Sequence, residues 1–169
     1  LLKSDSAVDL VHFTILRPPD KQDGVPVSEL SLIAFPIREL FIEKIDEFDL
    51  IIFDRYRRRG ILPAAYFDNM RRYVEQGGAL LVSAGPEYAT VDSIWRSPLG
   101  RILPGTPTSR VIETGFLPEV TDVGARHPVT EGLAGHHDMD DGSGAPWGRW
   151  FRQIELAADA GQVVMTGVD

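Results

Sequence analysis

The strongest constraint on the fold of this chain is a strand–helix–strand pattern over residues 49–83. Asp49–Asp54 is a short apolar run bounded by acidic residues, which is typical of a strand buried on both faces of a parallel sheet. After Pro63 a helical stripe follows, comprising Tyr66, Phe67, Met70, Tyr73 and Val74. Gly77 and Gly78 predict a left-handed cap at its end, and Ala79–Ser83 predicts a second buried strand. Together these residues predict a right-handed crossover in a parallel sheet.

Less regular patterns flank this unit on both sides. Val8–Leu16 is rich in β-branched and apolar residues and predicts a strand, which Pro18 and Pro19 end. A helix is predicted to begin near Pro36 and to end before Phe48, with one apolar face formed by Ile37, Leu40, Phe41 and Ile45. The second half of the chain predicts a loop-rich, partly antiparallel region with short strands at Arg110–Glu113, Phe116–Thr121, Arg152–Leu156 and Gln162–Thr166.

These elements predict an α/β fold with a mainly parallel sheet, in one domain that covers residues 1–169. Both ends look truncated. Leu1–Lys3 resembles the tail of a helix, and Gln162–Thr166 is a strand with nothing after it to cover its face. We therefore expect the chain to be a fragment of a longer protein.

The charge and cysteine content argue against several functions. Seventeen basic against 25 acidic residues give a net charge of −8, which argues against nucleic acid as a partner, because phosphate is bound through Lys and Arg. Without cysteine the chain has no disulfide, thiolate metal site or Cys nucleophile. We expect no cofactor. No apolar run approaches the roughly 20 residues that cross a bilayer, so we expect a soluble domain.

Two loops follow the predicted parallel strands, where ligands bind in open sheets of this kind. The first loop is Asp54–Gly60 and the second is Ser83–Glu87. The residues that we expect to contact a ligand there are Asp54, Arg55, Arg57, Arg58, Ser83, Gly85 and Glu87. Arginines at a strand end predict an anion site, and the alternative is a solvated loop that pairs with the acidic surface. For Ser83 the alternative is a small residue that fits a tight turn.

A resemblance to a known family rests on two segments. Gly77–Gly85, with the sequence GGALLVSAG, and His127–Leu133, with the sequence HPVTEGL, resemble the class I glutamine amidotransferase-like superfamily, especially its trehalose-utilisation and membrane-protein-associated branches. The resemblance implies a flavodoxin-like three-layer sandwich. It also implies a place within longer bacterial proteins that carry transmembrane helices, with the domain in the cytoplasm or periplasm and tethered to the inner membrane by segments outside this chain.

The resemblance implies a degenerate active site. Active members use a Gly-x-Cys-x-Gly elbow and a His-x-Glu pair, and the elbow falls here on Leu81–Gly85, with Ser83 at the nucleophile position and only Gly85 matching. None of the four histidines begins a His-x-Glu. We expect Gly85 to adopt a backbone conformation that a Cβ would strain, so that Gly85→Val would destabilise the domain by ~1–3 kcal/mol.

The expected function is therefore a non-catalytic, ligand-sensing or interaction domain, with an unknown small molecule or protein as partner. The alternative is a hydrolase with Ser83 as nucleophile and His127, or a histidine outside this chain, as base. A third possibility is an interaction module whose acidic, loop-rich second half docks another protein.

Three further groups carry weaker predictions. His136, His137 and Asp138 lie in a ligand-rich run that fits a metal site, and the alternative is a solvated Gly-rich loop. For His127 the alternative is a turn residue that satisfies backbone groups. The aromatic and basic residues of the last group predict either a partner surface or core packing: Trp147, Arg149, Trp150, Phe151 and Arg152.

Overall fold

The parallel strand–helix–strand unit is present in the structure, a computed structural model that describes residues 2–13, 38–133 and 147–167. Strand β1 is Leu50–Asp54, helix α1 is Ala64–Glu75 and strand β2 is Ala79–Ser83. β1 and β2 pair in parallel, with a register that runs from Leu50 opposite Ala79 to Asp54 opposite Ser83. The predicted order of strand, helix and strand and the parallel pairing of the two strands are confirmed.

Helix α1 begins after Pro63 and ends in the Schellman arrangement that the paired glycines predict. Gly77 has a φ of 110°, and its N–H donates to the Val74 carbonyl at 3.0 Å. The Gly78 N–H donates to the Tyr73 carbonyl, also at 3.0 Å. Gly78 is required for a different reason: a Cβ there would collide with the Tyr73 ring.

The core lies between α1, one face of the sheet and a series of short helical turns. Phe67 and Met70 project from α1 into this core, and Met70 is fully buried. Ile94 and Leu99 come from the 3₁₀ turns Ile94–Arg96 and Pro98–Arg101, which Ser93 and Ser97 cap by accepting backbone hydrogen bonds. The remaining buried apolar residues are Ile45, Phe53, Leu62, Tyr73 and Tyr88.

The opposite face of the sheet is exposed, so the prediction of two strands buried on both faces is wrong for that face. Phe53 is buried and Ile51 half-buried, whereas Leu50 is 45% exposed, Ile52 37% and Leu81 50%. Side chains alternate between the two faces of a strand, and α1 covers only one of them. The apolar composition of both strands therefore overstates their burial.

The elements before β1 differ from the prediction. Of the predicted strand Val8–Leu16, residues 8–13 form no strand and residues 14–16 lie outside the described residues; the earlier turn Leu2–Ser4 is 3₁₀. β-branched residues favour a strand only where a neighbour pairs with them, and residues 8–13 belong to no sheet in the described ranges. The start of the predicted helix near Pro36 lies outside the described residues. In its described part Arg38 is α-helical, a π-helical turn covers Glu39–Glu43 and a 3₁₀ turn covers Ile45–Glu47, and the predicted end before Phe48 is confirmed.

The second half is partly antiparallel, as predicted. Strand β3, Gly105–Ile112, pairs with β5, Gln153–Ala158, around a bulge that contains Ser109 with a φ of 69°. The short strand β4, Glu119–Val120, pairs with β6, Met165–Thr166. Within the described residues the sheets are thus one parallel pair and two antiparallel pairs, in a mixed helix-and-strand fold. None of the described helices is both long and apolar enough to span a membrane.

Candidate functional site

The two loops predicted to hold a ligand begin side by side. Asp54 and Ser83 form the last register pair of β1 and β2, and their side chains are exposed. The Arg55 N–H donates to the Ser83 carbonyl at 2.8 Å, which continues the parallel ladder by one residue. This is the carboxyl edge of the sheet, where open parallel sheets bind their ligands.

Arg55 has an unusual backbone conformation. Its φ is 47°, in the left-handed region, where a Cβ approaches the following carbonyl and the cost is roughly 1–2 kcal/mol. Among the described residues other than glycine, Ser109 is the second with a positive φ. Strain of this kind concentrates at functional sites, and here it accompanies a side chain that lies over the neighbouring loop.

Gly85 is extended, with φ −108° and ψ −177°, so the expectation of an unusual backbone at this position is wrong. The predicted strained elbow and the cleft beside Ser83 lose their basis with it. Gly85 is nevertheless buried, and a Cβ added there would lie 2.5 Å from Glu87 Oε2 and 3.0 Å from Arg55 Nε. Glycine at this position leaves room for two side chains from the strand-end loops to approach the backbone closely.

These two side chains have opposite charge and do not pair. Glu87 Oε2 is buried and accepts no hydrogen bond within the described part of the chain. Arg55, which is exposed, forms no ion pair or side-chain hydrogen bond with any described residue, Glu87 included. A buried carboxylate oxygen without a donor is costly, and this one lies beside a guanidinium with free N–H groups. We call Arg55, Gly85 and Glu87 the strand-end site.

Arg57 and Arg58 have structural partners. Arg57 Nε and Nη2 both lie 2.8 Å from Asp92 Oδ2. The Arg58 N–H donates to the Asp92 carbonyl at 2.9 Å, and its guanidinium donates to the Arg96 carbonyl. These contacts tie the first loop to the turns that carry Ile94. Arg57 pairs with an acidic side chain, as the alternative predicts, whereas Arg58 contacts backbone carbonyls, and Arg55 remains as the available cation next to Glu87.

Ser83 and His127 are not brought together. The Ser83 hydroxyl is exposed and makes no hydrogen bond with a described residue. His127 Nδ1 accepts from the Val129 N–H at 3.2 Å, and the His127 carbonyl accepts from Thr130 and Glu131. His127 therefore has the contacts of a turn residue. His136, His137 and Asp138 lie outside the described residues, within which no cluster of metal-ligating side chains occurs.

The aromatic and basic group at residues 147–152 contains both packed and exposed side chains. Trp150 packs against Phe116 with ring centroids 6.3 Å apart, and Trp147 Nε1 donates to the Pro118 carbonyl at 3.2 Å. Phe151 is 70% exposed, and Arg152 pairs with Glu113 at 2.8 Å. Because Trp150 is itself 48% exposed, the prediction of a partner surface stays open for Trp150 and Phe151.

A shallow cavity that the sequence did not indicate lies at the opposite, amino edge of the sheet. Its volume is about 360 Å³, and its lining consists of Asp46, Phe48, Asp49, Tyr73, Gln76, Gly77 and Gly78. The Tyr73 hydroxyl donates to the Phe48 carbonyl and accepts from the Ala79 N–H. Of the lining residues, the sequence singles out the glycine pair at the end of α1, but as a helix cap and not as part of a cavity.

Comparison of the chain with protein-family models, with curated proteins and with solved structures gives no match. The contacts at the strand ends are therefore the basis for assigning a function.

A buried hydroxyl beside the strand-end site provides a first prediction. Among the described residues the buried Tyr56 hydroxyl has no hydrogen-bond partner, and burial raises the pKa of Tyr56. The Tyr56 ring packs against the rings of Phe53 and Phe67. Tyr56→Phe removes the unsatisfied group, so we expect the free energy of unfolding to stay level or to rise by up to about 1 kcal/mol. Urea denaturation measures this. A loss of more than about 1 kcal/mol would show that the hydroxyl is satisfied in solution.

Proposed function

We propose that this chain is a non-catalytic domain, similar to class I glutamine amidotransferases, that binds a small molecule at the carboxyl ends of β1 and β2. The observation that carries the proposal is the strand-end site, in which Arg55 and Glu87 converge on Gly85 without pairing. A flavodoxin-like three-layer sandwich, and attachment to the inner membrane within a larger bacterial protein, belong to the same proposal on the strength of the resemblance.

The chemistry of Ser83 supports a non-catalytic role. A serine hydroxyl is a weak nucleophile unless a base accepts its proton at hydrogen-bonding distance. No histidine in the described residues makes that hydrogen bond to Ser83, and His127 Nδ1 is already occupied by the Val129 N–H. No contact in the described ranges favours the hydrolase alternative.

The second prediction concerns catalysis. We expect ammonia release from glutamine to remain at background with the purified protein, because the chain has no thiol and none of the described residues places a base at Ser83. Ser83→Ala should leave both this background and the melting temperature unchanged, since the Ser83 side chain is exposed. A release rate that Ser83→Ala abolishes would contradict the non-catalytic assignment.

Binding is tested directly by calorimetry with a panel of small carboxylic acids, amines, amino acids, sugars and nucleotides. The proposal requires at least one compound to bind the parent protein and to lose binding in Arg55→Gly. Glycine suits the left-handed φ of residue 55, so this variant removes the guanidinium without disturbing the backbone. Binding that Arg55→Gly leaves intact would place the ligand site elsewhere.

A further inference from the structure

The charges at the strand ends restrict the kind of ligand that fits the proposed function. Arg55 offers only hydrogen-bond donors, whereas the buried Oε2 of Glu87 offers only an acceptor when ionised. Both atoms nearest Gly85, Arg55 Nε and Glu87 Oε2, lie within 3.0 Å of the same point, the position of an added Cβ. A ligand bound to the exposed Arg55 guanidinium is therefore next to Glu87, whose buried carboxylate meets the ligand when this flexible side chain turns outward.

A simple anion or a simple cation can pair with only one of the two side chains, Arg55 or Glu87. A free phosphate or acetate would accept from Arg55 but would face the carboxylate of Glu87, and Asp54 begins the same loop. A free amine would donate to Glu87 but would face the guanidinium. Because burial weakens solvent screening, the unfavourable contact would offset much of the favourable one.

We propose that the strand-end site binds a small zwitterion, with its carboxylate on Arg55 and its ammonium group on Glu87. The ammonium group supplies the donor that the buried Oε2 lacks, and charge-assisted hydrogen bonds of this type are the strongest that side chains make. The carboxylate takes two N–H groups of the guanidinium fork. This inference rests on the proposed function and names the ligand class of that same site.

Matched probes separate the two halves of the ligand. Glycine, β-alanine and γ-aminobutyrate carry the same two charges at increasing separation, so the one that binds most tightly reports the distance between the two contacts. Glycine betaine keeps both charges but has no N–H donor, and acetate and methylammonium each keep one charge. We expect at least one of the first three to bind, and betaine, acetate and methylammonium to bind at least about tenfold more weakly.

Variants assign each contact to its residue. Glu87→Gln and Arg55→Gly should each weaken the best zwitterion at least about tenfold, while both leave the melting temperature within error or slightly raised. Arg59→Ala is the control for charge, because Arg59 lies in the same loop, is exposed, and forms no ion pair or side-chain hydrogen bond with a described residue. We expect Arg59→Ala to bind the zwitterion with less than about twofold change.

Gly85→Ala tests the geometry without changing any charge. Its Cβ would displace the Glu87 carboxylate and the Arg55 guanidinium, and both are ends of flexible side chains, so we expect weaker zwitterion binding with little loss of stability. Equal weakening by Arg59→Ala, or betaine that binds as tightly as the amines, would overturn the assignment. If no zwitterion binds but another compound binds in an Arg55-dependent manner, the ligand class is wrong and the proposed function stands. If nothing binds, both fail.

Discussion

Phe67→Ala is expected to lower the free energy of unfolding by about 3–5 kcal/mol, the usual cost of removing a buried aromatic ring. Phe67 is 2% exposed and lies where α1 packs on β1. Its ring centroid is 6.4 Å from that of Phe53 and 6.1 Å from that of Tyr56, so the cavity would open in the centre of this aromatic cluster. These neighbouring rings belong to β1 and to the loop after it, and they can refill the space only in part.

Urea denaturation followed by far-ultraviolet circular dichroism measures this change. Arg72→Ala is the control on the same helix, because Arg72 is exposed and makes only a 3.0 Å hydrogen bond to Asn69. We expect that control to change stability by less than about 1 kcal/mol. A Phe67→Ala variant within about 1 kcal/mol of the parent would mean that α1 does not cover β1 in solution.

The strand–helix–strand unit could be predicted from sequence because each of its signals is local. The apolar stripe of α1 repeats every three or four residues, and Gly77 and Gly78 follow it directly. The burial of the two strands, in contrast, is not determined by their own sequences. Leu50, Ile52 and Leu81 have the composition of core residues, yet their exposure depends on what covers the second face of the sheet, and no pattern within β1 or β2 encodes that.

The neighbouring position of the two strand-end loops could also be predicted, but the contacts that their residues make could not. Four arginines follow β1 within five residues, and only contacts made far along the chain distinguish them. Arg57 pairs with Asp92, 35 residues later, and Arg58 reaches the Arg96 carbonyl, 38 residues later. Gly85 shows the same limit, because sequence does not separate a glycine that needs a positive φ from one that needs close approach.

The other large effect is expected at Gly124, which joins the β4–β6 pair to the turn Gly124–Arg126. Gly124 is buried, and its N–H donates to Thr121 Oγ1 at 2.9 Å. Its carbonyl accepts from Thr130 Oγ1 at 2.6 Å. Thr121 in turn donates its own N–H to the Val164 carbonyl, 3.1 Å away, so the glycine is fixed against the residue directly before β6.

Gly124→Ala should lower the free energy of unfolding by roughly 3 kcal/mol, near the upper end of the cost of adding atoms to a packed site. The new Cβ would collide with the backbone carbonyl of Val164, which the hydrogen bond from Thr121 holds in place, and a backbone atom cannot rotate away as a side chain can.

Gly115→Ala is the matched control, because a Cβ there meets only the Phe151 ring at 3.4 Å and Arg149 at 3.5 Å. Urea denaturation of both variants should show a large loss for Gly124→Ala and less than about 1 kcal/mol for Gly115→Ala. If the two variants had equal urea midpoints of unfolding, the β4–β6 contact would not be maintained in solution.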